Sequence, residues 1–450
     1  MIVPTNRMLF WTAVTALPFA ALGAAAPSAA TLSATVIGVF LAVAALDALF
    51  AGNTVRGVSV EFPETVRLAR DREGEVGFLV RPGRATARQL RIGLAFPRQI
   101  ATPHECLSSA LPPKGEALHF RWPCTPLKRG RYVLDACYLE GASPLGLWAG
   151  RRTVPIRCEL RAYPSLLAER KNLAALFLNR GNFGLHAQRQ VGEGREFEKL
   201  REYVHGDGFD HIHWKTTAKR GRPVTKVFQI ERTQEVYVII DASRLSGRAS
   251  RTAGREEYRE YPETVLERFI TAGLVMGTAA EQQGDLFGMV TFSDRVHGFL
   301  RAKSGRVHYN LCRDALYRLQ PQTVTPDFDE LCSFLGMRLR RRALLIFLTN
   351  LDDPIVAESF ERNVELIRRK HLVLVAMLRQ PRVQPLFSDS GAQSLDDLYQ
   401  GLGGHLLWRN LRELEKSLQR RGIRFSLLGN EAMCSQLVSQ YVAVKQRQAL

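Results

Sequence analysis

The sequence lacks the cysteine pairs that would cross-link a fold or hold a structural metal. Its seven cysteines are dispersed, odd in number and never spaced as C-x-x-C. This pattern argues against both a disulfide framework and a zinc site. We therefore expect small buried hydrophobic side chains in a reducing compartment at Cys106, Cys124, Cys137, Cys158, Cys312, Cys332 and Cys434.

Familiar catalytic motifs are missing as well. The chain contains no G-x-S-x-G, no H-E-x-x-H and no G-x-x-x-x-G-K-[ST]. These absences exclude the common serine hydrolase, zinc protease and P-loop nucleotide sites.

Acidic residues are outnumbered by basic ones. Lys and Arg total 62 against 44 Asp and Glu, which gives a net charge of +18. Such an excess favours an anionic neighbour, either nucleic acid or the cytoplasmic leaflet of a membrane. A nucleic-acid surface needs aromatic residues interleaved with the bases, and near the basic residues 215–226 only Trp214 and Phe228 qualify. We therefore expect an anionic membrane surface or an acidic partner, and no specific nucleic acid.

The N-terminus has no charge between Arg7 and Asp47. This interval holds two apolar arms, at about residues 8–26 and 32–50, and each is long enough for roughly 28 Å of helix. Because the turn between them is short, residues 1–54 are predicted to form a transmembrane helical hairpin.

A cleaved signal peptide is the alternative, with cleavage near Ala26 or Ala30. It leaves the second arm unexplained. Arg7 flanks one end of the hairpin, several arginines follow the other, and the turn carries no charge. The positive-inside rule then predicts a two-pass protein of the inner membrane with both ends, and the bulk of the chain, in the cytoplasm.

Two further regions follow the hairpin. Residues 55–165 contain short alternating runs broken by Gly and Pro, which predict a small antiparallel β-sandwich. Residues 233–450 alternate apolar β-branched runs with amphipathic helical patterns, which predicts a doubly wound, mostly parallel α/β sheet. The predicted fold class is therefore multi-domain, with residues 166–232 as a connector.

The connector contains a dense motif between Gly192 and Ser243. The motif consists, in this order, of a glycine, Glu-Phe, Leu-Arg-x-Tyr, Gly-Asp, Ile-x-Trp and a small residue before a base. Its residues are Gly194, Glu196, Phe197, Leu200, Arg201, Tyr203, Gly206, Asp207, Ile212, Trp214, Ala218 and Lys219. This order resembles the signature of the bacterial family called domain of unknown function 58. The resemblance implies that residues 233–450 form a von Willebrand factor A-like domain.

Domains of that type carry a metal-ion-dependent adhesion site with an Asp-x-Ser-x-Ser loop and a later Asp. Here Asp241 and Ser243 match, but Leu245 replaces the second serine. The later Asp is replaced as well, because Leu348-Thr349-Asn350 stands where Ser-Asp is usual. Mg²⁺ prefers six hard oxygen ligands, so these replacements predict a degenerate site without metal or other cofactor. A metal-dependent adhesion module remains the alternative, because Ser246, Asp352 or Asp353 could supply oxygen.

Enzymatic chemistry in residues 193–215 is a second alternative. Glu196 and Glu202 could pair for hydrolysis. His211 and His213 on a strand would put both rings on one face, and Asp207 is a candidate third ligand for such a two-histidine site. We instead expect a non-enzymatic interaction segment in which Trp214 is buried and fastens the connector. The candidate interaction residues are Glu196, Arg201, Tyr203, Gly206, Asp207, Trp214 and Lys219.

The resemblance also implies partners. Members of the family are associated with MoxR-type AAA+ ATPases, often beside other A-domain proteins. The expected function is thus a membrane-anchored scaffold or adaptor for protein–protein interaction.

Overall fold

The computed structural model divides the chain into two compact units, Met1–Ser165 and Leu166–Leu450. It describes residues 1–83, 87, 89–110, 117–167, 169, 172, 174, 191–204, 208–229, 234–250, 261–380, 383–386, 388 and 394–446. Gly206 and Asp207 lie outside the described residues.

The first unit begins with two apolar helices. The first runs as α1 (Asn6–Trp11), a π-helical stretch (Thr12–Ala16) and α2 (Leu17–Ala25), and after a 3-10 turn the second is α3 (Ala30–Ala51). Both are long and apolar enough to cross a membrane. Large side chains such as Leu9, Leu17 and Leu49 are exposed, which suits a lipid rather than a water environment.

Two sheets make up the rest of this unit, and their strands are antiparallel except for the parallel pair of β3 and β10. One sheet has the order β1-β10-β9-β5-β7, with β3 beside β10, and the other has the order β2-β4-β8-β6. Alternate side chains such as Val76, Phe78 and Val80 enter the core between the sheets. The strands are β1 (Ile2–Pro4), β2 (Ser59–Glu61), β3 (Thr65–Ala69), β4 (Gly74–Arg81), β5 (Gln89–Leu94), β6 (Ile100–Ala101), β7 (Cys106–Ala110), β8 (Leu118–Pro126), β9 (Gly130–Ala142) and β10 (Trp148–Tyr163).

Asp47 connects the second apolar helix to the turn between β9 and β10. Its carboxylate accepts hydrogen bonds from the Ser143 hydroxyl and from the backbone N–H groups of Leu145 and Leu147. The indole N–H of Trp148 also donates to the Ala44 carbonyl at 2.8 Å. The segment Pro144–Trp148 therefore binds the end of α3, and Asp47 is satisfied although it is buried.

The second unit contains a hairpin and a six-stranded sheet. The hairpin pairs β11 (Val191–Glu202) with β12 (Val224–Gln229), and α4 (Trp214–Arg220) lies between its strands in sequence. The sheet has the order β15-β14-β13-β16-β17-β18, parallel except for the antiparallel edge strand β15. Its strands are β13 (Glu235–Asp241), β14 (Leu286–Phe292), β15 (Val296–Lys303), β16 (Ala343–Leu348), β17 (Leu372–Leu378) and β18 (Arg424–Leu428).

Helices cover both faces of this sheet. The core on one face is shared with α5 (Val265–Gln282), α6 (Arg306–Leu316) and α10 (Met433–Gln446). The core on the other is shared with α7 (Phe328–Arg338), α8 (Pro354–Arg368) and α9 (Leu395–Arg420). The central strand β16 is buried at every position, as its unbroken apolar sequence requires.

Candidate functional site

The carboxyl edge of the parallel sheet brings together residues from two central strands. Asp241 ends β13, and Thr349 follows β16, its neighbour in the sheet. The Thr349 hydroxyl donates to Asp241 Oδ2 at 2.6 Å, and the Ser243 backbone N–H donates to Oδ1 at 2.8 Å. Burial raises the pKa of Asp241, and these hydrogen bonds oppose that rise.

Two hydrogen bonds fix the conformation of the loop after Asp241. The Ser246 hydroxyl donates to the Ser243 carbonyl at 2.7 Å, and the Asn350 side chain donates to the Leu245 carbonyl at 3.3 Å. Leu245 itself is buried. The structure thus places the three predicted residues Asp241, Ser243 and Asn350 at one edge, but Asn350 directs an N–H, rather than an oxygen, at the loop.

The donor set departs from the adhesion motif. Asp241 accepts one hydrogen bond from protein at each of its oxygens, and Asn350 presents an N–H where the motif has a carboxylate. The octahedral ion needs six oxygen ligands at short distance. Within the described part of the chain, no group of three or more His, Cys, Asp or Glu side chains is arranged to hold a metal.

The two aspartates that could have completed a metal site are paired with arginines instead. Arg244 contacts Asp353 at 3.1 Å, and Arg248 forms an ion pair with Asp352. Asp353 also accepts from the Ile355 N–H at the start of α8, and Asp352 accepts from Gln380 at 2.7 Å. Both carboxylates therefore have structural roles at this edge.

A second candidate site is the signature segment on and around the β11–β12 hairpin. Arg201 lies opposite Thr225 in the pairing, and Glu196 lies opposite Gln229. The Tyr203 ring stacks on Phe209 with centroids 6.1 Å apart. Helix α4 begins where the His213 ring accepts a hydrogen bond from the Thr216 N–H at 3.1 Å, and it ends at Gly221, whose φ of 66° suits glycine.

The expectation that Trp214 is buried is wrong. Its side chain is 69% exposed at the first position of α4, and Phe209 nearby in sequence is 73% exposed. The buried position of the motif is taken by Ile212, which is 8% exposed and forms a β-bridge with Thr225. Once Ile212 fills the space against the hairpin, the tryptophan ring is left facing solvent.

The histidine expectation is wrong in its geometry. His211 belongs to a 3-10 turn, Phe209–His211, and His213 is the N-cap of α4, so the two do not share the face of a strand. Nδ1 of the His213 ring accepts a hydrogen bond from the Thr216 N–H. A two-histidine site therefore loses the strand geometry on which it depended.

Exposed basic residues lie in the same segment as the two exposed rings. Lys215, Lys219 and Arg220 lie on α4, and Arg222 follows it with an ion pair of 3.5 Å to Glu202. Exposed aromatic and arginine side chains are the types enriched at protein interfaces. We refer to Phe209, Trp214, Lys215 and Lys219 as the aromatic–basic surface.

A family model described as protein of unknown function DUF58 matches residues 199–424, just over half of the chain. The chain therefore belongs to this family. No curated protein matches.

Three solved structures are similar to parts of the chain. BatB, a conserved hypothetical protein from Bacteroides thetaiotaomicron, is 15% identical, with 48% of this chain and 99% of that one covered and a TM-score of 0.29. The SpRpn10 VWA domain is 10% identical over 46% and 95%, at a TM-score of 0.28. The PilB minor pilin from Streptococcus sanguinis is 8% identical over 90% and 96%, at 0.33. These TM-scores are too low to define a shared fold.

Proposed function

We propose that the chain is an inner-membrane adaptor that presents a von Willebrand factor A-like domain to a partner protein, and that it is not an enzyme. The exposure of Trp214, in a segment that also exposes Phe209, Lys215 and Lys219, carries this proposal. A buried tryptophan would serve the fold alone, whereas an exposed one at the centre of a family motif has no packing role. An exposed, rigid aromatic ring is suited to protein recognition.

The anchor is supported by the pairing of the chain's first residues. Strand β1 pairs with Trp148–Gly150 of β10, and the Thr5 hydroxyl donates to the Gly146 carbonyl at 2.6 Å. Residues that a signal peptidase would remove therefore contribute to the sandwich sheet. This favours an uncleaved hairpin whose two ends lie on one side of the membrane. The charge pattern favours the cytoplasm as that side.

The A-like character is supported by the strand order. A central β13 is flanked by parallel β14 and β16, and the antiparallel β15 lies at one edge. The loop after β13 carries Asp241 and Ser243, where A domains place their adhesion loop. Asp352 and Asp353 pair with arginines, and Asp241 accepts hydrogen bonds from protein groups, which supports a protein-binding domain that works without metal.

The partner follows from the family resemblance, which implies a MoxR-type AAA+ ATPase and other A-domain proteins. The test is co-purification of the tagged full chain from detergent-solubilised membranes, followed by mass spectrometry. An enriched ATPase of this type supports the adaptor role. Recovery of the chain with no ATPase contradicts the assigned partner, and a turnover abolished by Glu196→Ala would contradict the non-enzymatic role.

Topology has its own test. A reporter fused after Leu450 is expected to be active in the cytoplasm. A periplasmic C-terminus, or an N-terminus cleaved near Ala26 or Ala30, would contradict the two-pass anchor.

A further inference from the structure

A cavity of about 210 Å³ opens at the carboxyl edge of the C-terminal sheet. Residues after β13, β16, β17 and β18 line it, together with the first residue of α5. In open α/β sheets this edge, near the reversal of strand order between β13 and β16, is where ligands bind. The cavity is distinct from the aromatic–basic surface.

Two arginines give the cavity a positive charge. Arg248 and Arg379 both line it. Arg248 is paired with Asp352, whereas Arg379 has no acidic partner among the described residues. Among the described residues that line the cavity or pair with its lining, two guanidinium groups and one carboxylate carry one net positive charge, which a monoanion would neutralise.

The remaining wall is mixed in character. Val265 and Leu378 supply apolar surface, and Asn350 and Gln380 supply amides. Both amides already donate within the protein, to the Leu245 carbonyl and to Asp352. The side chains of the wall that can form a further ion pair are therefore the arginines. An apolar wall beside a cation suits a carboxylate on a short aliphatic stem better than it suits a phosphate dianion, which Asp352 would also repel.

We propose that this cavity binds the carboxylate of an acidic side chain on a partner protein, with Arg379 as the principal ion-pairing residue. Arg248 contributes a second guanidinium while remaining paired with Asp352, because its five N–H donors exceed what one carboxylate accepts. This inference rests on the adaptor role proposed above, and it names the chemistry that the carboxyl edge of the sheet selects in a partner.

The test uses the full chain in detergent and small probes rather than a whole partner. N-acetylglutamate amide carries one side-chain carboxylate, N-acetylglutamine amide is its neutral isostere, and inorganic phosphate is the alternative anion. Binding is measured by titration calorimetry and by the shift in melting temperature. We expect saturable binding of the glutamate probe, and binding weaker by about tenfold or more for the neutral isostere.

The variants locate the site. Arg379→Gln, at an exposed residue whose loss leaves folding intact, is expected to weaken the glutamate probe by about tenfold. Arg341→Gln removes an exposed arginine just before β16, at the opposite edge of the sheet, and is expected to change nothing.

Three outcomes overturn the proposal: no binding of the glutamate probe, equal binding of both amides, or stronger binding of phosphate. Probe binding that Arg379→Gln leaves unchanged also overturns the proposal, since the carboxylate then binds elsewhere. The probes do not involve the ATPase. Failure to recover the ATPase would therefore count against the adaptor role while probe binding still reported on the cavity.

Discussion

The hydroxyl of Thr349 donates a 2.6 Å hydrogen bond to Asp241 Oδ2 and joins the ends of two adjacent parallel strands. The two residues are 108 positions apart in the chain. Because the Ser243 N–H occupies the other oxygen, the most deeply buried carboxylate at this edge is satisfied by protein groups. Asp241 is therefore a structural centre of the loop that follows it.

Divalent metal is expected to leave the stability of the full chain unchanged. The oxygen atoms of Asp241 are already bonded, and Leu245 and Asn350 stand where further oxygen ligands would be needed. A site filled at about 100 times its Kd would add about 2.7 kcal/mol to the free energy of unfolding. The measurement is the melting temperature with and without millimolar Mg²⁺ or Mn²⁺. An upward shift that Asp241→Ala abolishes would restore the adhesion-site alternative.

Removing the Thr349 hydroxyl should destabilise the C-terminal unit. Thr349→Ala leaves a buried carboxylate oxygen without its donor, which costs about 1–3 kcal/mol. Thr349→Ser keeps the hydroxyl and serves as the matched control, with a smaller loss expected. Denaturant unfolding of both variants measures the difference. Equal stability of Thr349→Ala and wild type would show that the hydrogen bond contributes nothing net.

Asp47 is expected to be essential for attaching the Pro144–Trp148 turn to the anchor helix. Asp47→Ala leaves the Ser143 hydroxyl and the N–H groups of Leu145 and Leu147 without their acceptor. The expected loss is about 2–4 kcal/mol. Limited proteolysis of membranes should then cut the chain faster between residues 140 and 150. Resistance equal to that of wild type would mean that the turn holds its conformation without Asp47.

His371 should make stability fall as the pH is lowered. Burial, with a smaller contribution from Lys370, lowers the pKa of His371 from 6.5 to about 4. Between these values the unfolded chain takes up a proton that the folded chain does not, so stability is full above pH 6.5 and declines as the pH approaches 4. The whole difference is about 3 kcal/mol.

Substitution isolates this contribution from those of other titrating groups. His371→Leu should lose less stability than wild type between pH 8 and pH 5 in denaturant unfolding. His104→Leu, at an exposed histidine of the first unit, should follow the wild-type profile. Parallel profiles for His371→Leu and wild type would contradict the burial argument.

The sequence predicts best where one physical cause dominates. The long charge-free run of residues 8–46 predicts apolar helices. The unbroken apolar runs of β16 and β17 predict strands that are buried on both faces of the sheet. It predicts less well where patterns compete. Helix α9 runs from Leu395 to Arg420 through Gly401, Gly403 and Gly404, although glycines in a helix interior weaken the helical pattern of a sequence. The edge strand β15, half-exposed and containing Gly298, has too weak a pattern to be found.

The candidate site shows the same limits. The resemblance to the A-domain adhesion motif identifies Asp241 and Ser243. The sequence gives no comparable indication of the contact between Thr349 and Asp241, since the two residues are 108 positions apart. A threonine immediately after the neighbouring buried strand was the available signal. The expectation that Trp214 is buried is wrong because the size of a side chain alone does not determine its burial. Ile212, two residues earlier, occupies the buried position instead.

The most direct measurement compares ATPase recovery by Trp214→Ala and by a matched control. Met337, 76% exposed on α7 and outside the signature, provides the control variant Met337→Ala. Because Trp214 is exposed, its replacement should change the free energy of unfolding by no more than about 0.5 kcal/mol and leave protein abundance unchanged. We predict that Trp214→Ala, but not Met337→Ala, lowers the ATPase recovered per chain by about tenfold or more. Recovery equal to wild type from a stable Trp214→Ala protein would contradict the assignment of this surface to partner binding.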